Sequence, residues 1–110
     1  MSELLDETML NELREIMEDD FGALVETFLS ESARQYAEVQ SAWANQDMDL
    51  LRRAAHTLKG SCGNIGAMQL HESMSHIEHQ ARDGETTDLN SLIANVEGQL
   101  DAVHEAVRRI

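Results

Sequence analysis

A histidine with basic neighbours is the pattern in this sequence best suited to chemistry. His56 lies three or four positions from Arg52, Arg53 and Lys59, which are three of the chain's eight basic residues. On a helix these positions are neighbours, and Gly60 leaves open space one turn further on. A neutral imidazole, which the positive field favours, is a nucleophile, and cations beside it suit a dianion such as a phosphoryl group. The pattern indicates phosphoryl chemistry, with an incidental histidine on a solvated basic face as the alternative.

The elements that position His56 are predicted to be helices. Apolar residues recur at helical spacing through most of the chain, and no proline interrupts them. Five helices are expected: a leading helix over about 6–18, a second over about 20–46, a third after an N-cap at Asp47, a fourth over about 66–82, and a last one capped by Thr87 or Asp88. The sequence therefore predicts an all-α fold, an antiparallel four-helix bundle with an additional short N-terminal helix. We expect a single domain over residues 1–110, with the leading helix at 1–19 and the bundle at 20–110.

The third helix is predicted to turn His56 towards solvent. Its apolar positions share one side of the helix: Leu51, Ala54, Leu58 and Cys62. His56 lies roughly opposite this side, at about 100° per residue. The following residues lie on the face of His56 or at its edge: Arg52, Arg53, Lys59, Gly60 and Gly63.

Composition excludes several classes of function. The formal net charge is −13, which disfavours binding to nucleic acid and to anionic lipid. No apolar run approaches the ~20 residues of a membrane span, and the acidic amino end lacks the features of a secretory signal. The single cysteine, Cys62, cannot form an internal disulfide and is expected to be a buried apolar residue. We therefore expect a cytoplasmic protein with no nucleic-acid or membrane partner.

Around His56 the sequence resembles a known signature. HTLKGS at 56–61, NIGA at 64–67 and then Leu70 resemble the motif of histidine phosphotransfer (HPt) domains of bacterial phosphorelays. Ile77-Glu78 and Arg82-Asp83-Gly84 resemble the next helix and turn of the same family. The match is close over about residues 48–85.

The resemblance implies a free-standing, monomeric phosphocarrier rather than an enzyme. His56 would be the phosphoacceptor, taking a phosphoryl group from the receiver domain of a hybrid sensor kinase and passing it to the receiver aspartate of a response regulator. Lys59 matches the lysine that accompanies the phosphoryl group, and Gly60 matches the glycine that admits the partner. The domain would need no cofactor of its own and no metal site, because Mg²⁺ belongs to the receiver.

Other assignments rest on helix geometry and not on the motif. Arg52 and Arg53 are predicted to support the phosphoryl group, and Gly63 to widen access for the partner. We expect no carboxylate or base at fixed spacing from His56 that would complete a self-contained catalytic site. The second helix, near Gln35, is expected to contribute to docking.

Two other functions remain open at this stage. Glu72, His76 and His79 lie at i, i+4 and i+7 on the polar face of the fourth helix, a spacing that suits a divalent metal. An acidic scaffolding bundle for a basic partner is the other possibility. His71 and His104 flank apolar stripes and are expected to be partly packed.

Overall fold

The fold is entirely helical over residues 4–110, the part of the chain that the computed structural model describes. The helices are α1 (Glu7–Met17), a short 3₁₀ helix (Glu18–Asp20), α2 (Phe21–Ala44), α3 (Met48–Asn64), α4 (Met68–Asp83) and α5 (Leu89–Arg108). Helix α2 packs against α3 and α5, α4 packs against the same two helices, and α1 packs against α2. The predicted four-helix bundle with an extra N-terminal helix is confirmed. Between residues 4 and 110, no helix has the length and apolar character needed to cross a membrane.

Local signals define the helix ends. The Asp6 carboxylate accepts a hydrogen bond from the Met9 amide at 3.0 Å, and Asp47 does the same for Leu50 at 3.0 Å, so both are N-caps as their residue type favours. Helix α4 ends at Asp83 and is followed by Gly84, whose φ of 73° is the left-handed conformation that glycine tolerates. Asp88 occupies the N-cap position of α5, but its side chain makes no capping hydrogen bond.

The fourth helix begins slightly later than the predicted start at about residue 66. Helix α3 continues to Asn64, Gly66 adopts a φ of 79°, and α4 begins at Met68. The carbonyl of Gly66 accepts a hydrogen bond from the Asp6 amide at 2.8 Å. A side chain at Gly66 would contact Asp6 at 3.3 Å, so this glycine serves both the turn and the close approach of the leading segment.

The predicted apolar side of α3 faces the core. Leu51, Leu58 and Cys62 are completely buried, and burial raises the pKa of the Cys62 thiol to about 12, so it stays protonated and unreactive. The hydroxyl of Tyr36 donates to the Ile93 carbonyl at 2.7 Å and joins α2 to α5. Because Leu51, Leu58 and Cys62 hold the apolar side of α3 in the core, the opposite side of this helix, which carries His56, faces solvent.

Candidate functional site

His56 is exposed, as its position on α3 predicts, and it has one defined partner. Its side chain is 65% exposed, and Nδ1 lies 2.9 Å from Oε2 of Glu78. Glu78 is on α4, 22 residues further along the chain. The antiparallel packing of α3 and α4 brings the two side chains together.

Glu78 also binds Lys59. The Lys59 ammonium lies 2.6 Å from Oε1 of Glu78, and the side chains of Lys59 and Glu78 are only 21% and 16% exposed. Partial burial opposes ionisation of Glu78, but the hydrogen bonds from Lys59 and His56 outweigh it and hold the pKa of Glu78 below its usual range. Glu78 is therefore a carboxylate at neutral pH, with one oxygen for each basic side chain.

This arrangement sets the tautomer of a neutral His56 ring. A carboxylate can only accept hydrogen bonds, so Nδ1 of His56 must carry the proton and donate it to Glu78. The free lone pair is then on Nε2. Within this geometry, Nε2 is the nitrogen that can form a new bond to an incoming group.

The glycine beside His56 leaves the approach open. A Cβ atom built on Gly60 would meet nothing within 4 Å, and the residue is exposed. Gly63 differs, because a Cβ there would lie 3.2 Å from Nδ1 of His71 on α4. The space left by Gly63 is thus occupied by His71, and its role in partner access remains a prediction that this contact does not support.

The two arginines pair with a different carboxylate from the one that His56 contacts. Arg52 and Arg53 both bind Asp49, with nitrogen–oxygen distances of 3.1 and 3.3 Å. Asp49 lies three and four positions before them, a local spacing that predicts such pairs. Their support of a phosphoryl group stays a prediction, and Lys59 is the cation that shares a partner with His56.

Sequence spacing did not identify Glu78 as a partner of His56, and whether the site is self-contained stays a prediction. Glu78 contacts the ring directly, and the sequence contains a signal for it: it follows the core residue Ile77 and comes one turn after the core residue Met74. It therefore lies at the border of the buried face of α4. Sequence spacing places it on that border, but only the packing of α4 against α3 shows that His56 is opposite.

The remaining polar candidates behave in three different ways. His76 and His79 are exposed, and residues 4–110 contain no group of three or more His, Cys, Asp or Glu side chains arranged to hold a metal ion. His71 and His104 are half-buried, as expected. Gln35 is buried, and it accepts a hydrogen bond from Ser61 at 2.8 Å, so it joins α2 to α3. A part for this region in docking stays a prediction.

A shallow groove runs beside the site, between α2 and α3. Its volume is about 210 Å³, and it is lined by Leu24, Thr27, Phe28, Glu31, Gln35, Ser61, Asn64 and Ile65. Ser61 directly follows Gly60, so one end of this groove lies next to the open flank of His56.

The chain is similar to known proteins over most of its length. The family model of the Hpt domain matches residues 23–109. The crystal structure of histidine-containing phosphotransfer protein B (HptB) from Pseudomonas aeruginosa PAO1 is similar to this chain with a TM-score of 0.95 and 30% sequence identity, over 99% of this chain and 95% of that one. No curated protein matches the sequence.

The match over most of the chain defines the class of the protein. The chain belongs to the Hpt domain family. It is a histidine phosphotransfer domain of the kind that acts in two-component phosphorelays, built as a helical bundle.

Proposed function

We propose that His56 is the phosphoacceptor and that Nε2 is the atom that bonds to phosphorus. The observation that carries this proposal is the Glu78 carboxylate, 2.9 Å from Nδ1. It orients the ring and leaves Nε2 as the free nucleophile, next to the open space at Gly60. Family membership supplies the reaction, and the geometry supports the assignment of the residue.

The chemistry requires little more from this chain. The Nε2 lone pair forms the N–P bond as the O–P bond of a receiver aspartyl phosphate breaks and its carboxylate leaves. The ring keeps its Nδ1 proton and becomes a phosphoimidazolium cation, which the Glu78 carboxylate stabilises. Lys59 shares Glu78 with His56, and we propose that its ammonium turns from Glu78 towards the phosphoryl oxygens, where transfer relies on charge neutralisation. Transfer onwards reverses these steps.

The partner completes the reaction. We infer that receiver domains of a hybrid sensor kinase and of a response regulator provide the aspartate and Mg²⁺, and that this chain acts as a monomeric carrier and single domain, without a cofactor of its own. A receiver that approaches over Gly60 has the groove between α2 and α3 directly beside it. We propose that part of the receiver packs along this groove, near the exposed Thr27.

Intact-mass spectrometry tests the assignment of His56. The wild-type domain and His56→Gln are mixed separately with a phosphorylated receiver domain and measured at neutral or mildly basic pH. Wild type should gain one phosphoryl group that is lost in acid. The variant should gain none, while its circular dichroism spectrum remains that of the folded bundle, because His56 is largely exposed and contributes little to packing.

His79→Gln is the matched control, because it replaces another exposed histidine of the same bundle. This variant should be phosphorylated like wild type. A phosphoryl signal that persists in His56→Gln would overturn the assignment of His56. Loss of the signal in His79→Gln would overturn it as well, because the acceptor would then not be set by the site on α3.

A further inference from the structure

Lys59 contacts α4 through both its side chain and its backbone. The side-chain ammonium of Lys59 lies 2.6 Å from Glu78. The backbone carbonyl of Lys59 lies 3.0 Å from Nδ1 of His71, one of the half-buried residues of α4. A carbonyl can only accept, so Nδ1 of His71 carries a proton and donates it.

The hydrogen bond from His71 is additional to the hydrogen bonds within helix α3. The Lys59 carbonyl lies within α3, where the amide of Gly63 is its ordinary i+4 partner. The His71 hydrogen bond uses the second lone pair of that oxygen and ties α3 to α4. It is therefore a contact between helices, made at the residue whose side chain serves the site.

Gly63 provides the space for this contact. A glycine inside a helix costs roughly 1 kcal/mol relative to alanine, and here a Cβ would lie 3.2 Å from Nδ1 and 3.5 Å from Cε1 of His71. Such a Cβ would force the imidazole ring to shift by a few tenths of an ångström. The glycine thus allows the ring to reach the Lys59 carbonyl.

We propose that His71 is a positioning residue for phosphotransfer, acting through Lys59. By holding the Lys59 carbonyl, it fixes the rotation and register of α3 against α4, so that His56 and Lys59 both reach the Glu78 carboxylate. His71 itself touches neither the phosphoryl group nor His56. This inference rests on the proposed function of His56 and adds a residue that the motif around His56 does not contain.

The test compares His71→Ala with His71→Asn, whose side-chain amide can still donate to the Lys59 carbonyl. The rate constant for transfer from a saturating phosphorylated receiver is measured together with the receiver dissociation constant, at a temperature where every variant is fully folded. His71→Ala should lower the rate constant about threefold to tenfold, the effect of one lost hydrogen bond, and leave the dissociation constant unchanged. His71→Asn should restore most of the rate. His76→Ala, an exposed histidine of the same helix, is the control and should transfer like wild type.

Gly63→Ala separates positioning from stability. Alanine has the higher helix propensity, but its Cβ, 3.2 Å from Nδ1, displaces His71, so the transfer rate should fall even where the variant is fully folded. In the unphosphorylated protein, the NMR signals of the His56 ring should shift in His71→Ala and return towards wild type in His71→Asn, a readout that needs no transfer at all.

The results distinguish the two proposals. A His71→Ala variant with the wild-type transfer rate and unchanged His56 signals would overturn the role of His71, and so would a loss of rate that His71→Asn does not restore. Neither outcome touches the assignment of His56. A wild-type protein that takes up no phosphoryl group would instead contradict the proposed function, while the NMR comparison would still decide the contact with Lys59.

Discussion

Removing the Glu78 side chain should slow phosphotransfer and reduce the amount of phosphorylated domain at equilibrium. Glu78→Ala deletes the acceptor 2.9 Å from the His56 ring. A hydrogen bond to a charged group contributes about 1.5–3 kcal/mol. Because the His56 side chain is 65% exposed and water competes for its hydrogen bonds, the lower end of this range, about 1.5 kcal/mol, applies here. The same variant frees Lys59 to meet the phosphoryl group, which returns less than about 1 kcal/mol at a partly solvated site. The net loss of about 1 kcal/mol corresponds to a roughly fivefold slower transfer.

The assay measures transfer in both directions between the domain and a receiver. Glu78 stabilises the cationic phosphoimidazolium, so Glu78→Ala should also shift the equilibrium towards the phosphorylated receiver by a similar factor. Glu78→Gln keeps an oxygen that accepts from Nδ1 but loses the charge, and should fall between alanine and wild type. Glu72→Ala removes another carboxylate from an exposed position of the same helix and should have no effect. Transfer by Glu78→Ala at or above the wild-type rate, with an unchanged equilibrium, would refute the role assigned to this carboxylate.

Four further predictions follow from the described contacts. Lys59→Ala should slow transfer without abolishing it, and an unchanged rate would argue against charge neutralisation by this residue. Thr27→Arg should weaken receiver binding while the saturated transfer rate is kept; equal affinity would place the receiver outside the groove. Burial, followed by the charge of Arg108, lowers the pKa of His104 from its usual 6.5. The unfolded chain then binds more protons than the folded one, so this contribution to stability is complete above about pH 6.5 and is lost as the pH falls through the lowered pKa. In urea unfolding, the free energy of unfolding should fall less between pH 7.5 and 5 in His104→Gln than in wild type. An equal fall in both proteins would show that His104 is not the source of this pH dependence. Gly98→Ala should raise the free energy of unfolding by about 1 kcal/mol, because alanine favours the helix and a Cβ there meets nothing within 4 Å. A lower free energy of unfolding, measured by urea denaturation, would show that the position is packed.

The half-buried His104 packs against α2, and this burial is the main cause of its lowered pKa. Ser32 is completely buried and its hydroxyl lies 2.7 Å from Nε2 of His104, while the rings of Phe28 and His104 form a T-shaped contact at a centroid distance of 5.6 Å. A charged imidazole gains no acidic partner from these two residues. The sequence indicates a partly packed histidine here, but the serine is 72 positions away and only the packing of α2 on α5 identifies it.

Much of the fold follows from local sequence rules. Helical spacing of apolar residues, the N-cap residue Asp47 and the turn residue Gly84 each act within a few positions, so one sequence contains all the information they need. The same spacing that buries Leu58 turns His56 outward and leaves Gly60 beside it. The exposed histidine, its lysine and its open flank were therefore predictable from the sequence alone.

The partners of these residues depend on tertiary structure. Glu78 and His71 lie 22 and 12 positions from the atoms they bind on α3, and their contacts depend on the rotation and axial register of α4. These are set by packing in the core, for which a single sequence offers no local signal. The pairing of Arg52 and Arg53 with Asp49 is different, because its three- and four-residue spacing could have been interpreted in advance. The sequence alone thus determined that His56 is presented to solvent beside a lysine and an open flank, and only the packing of two helices decided which carboxylate holds its ring and which nitrogen is left free.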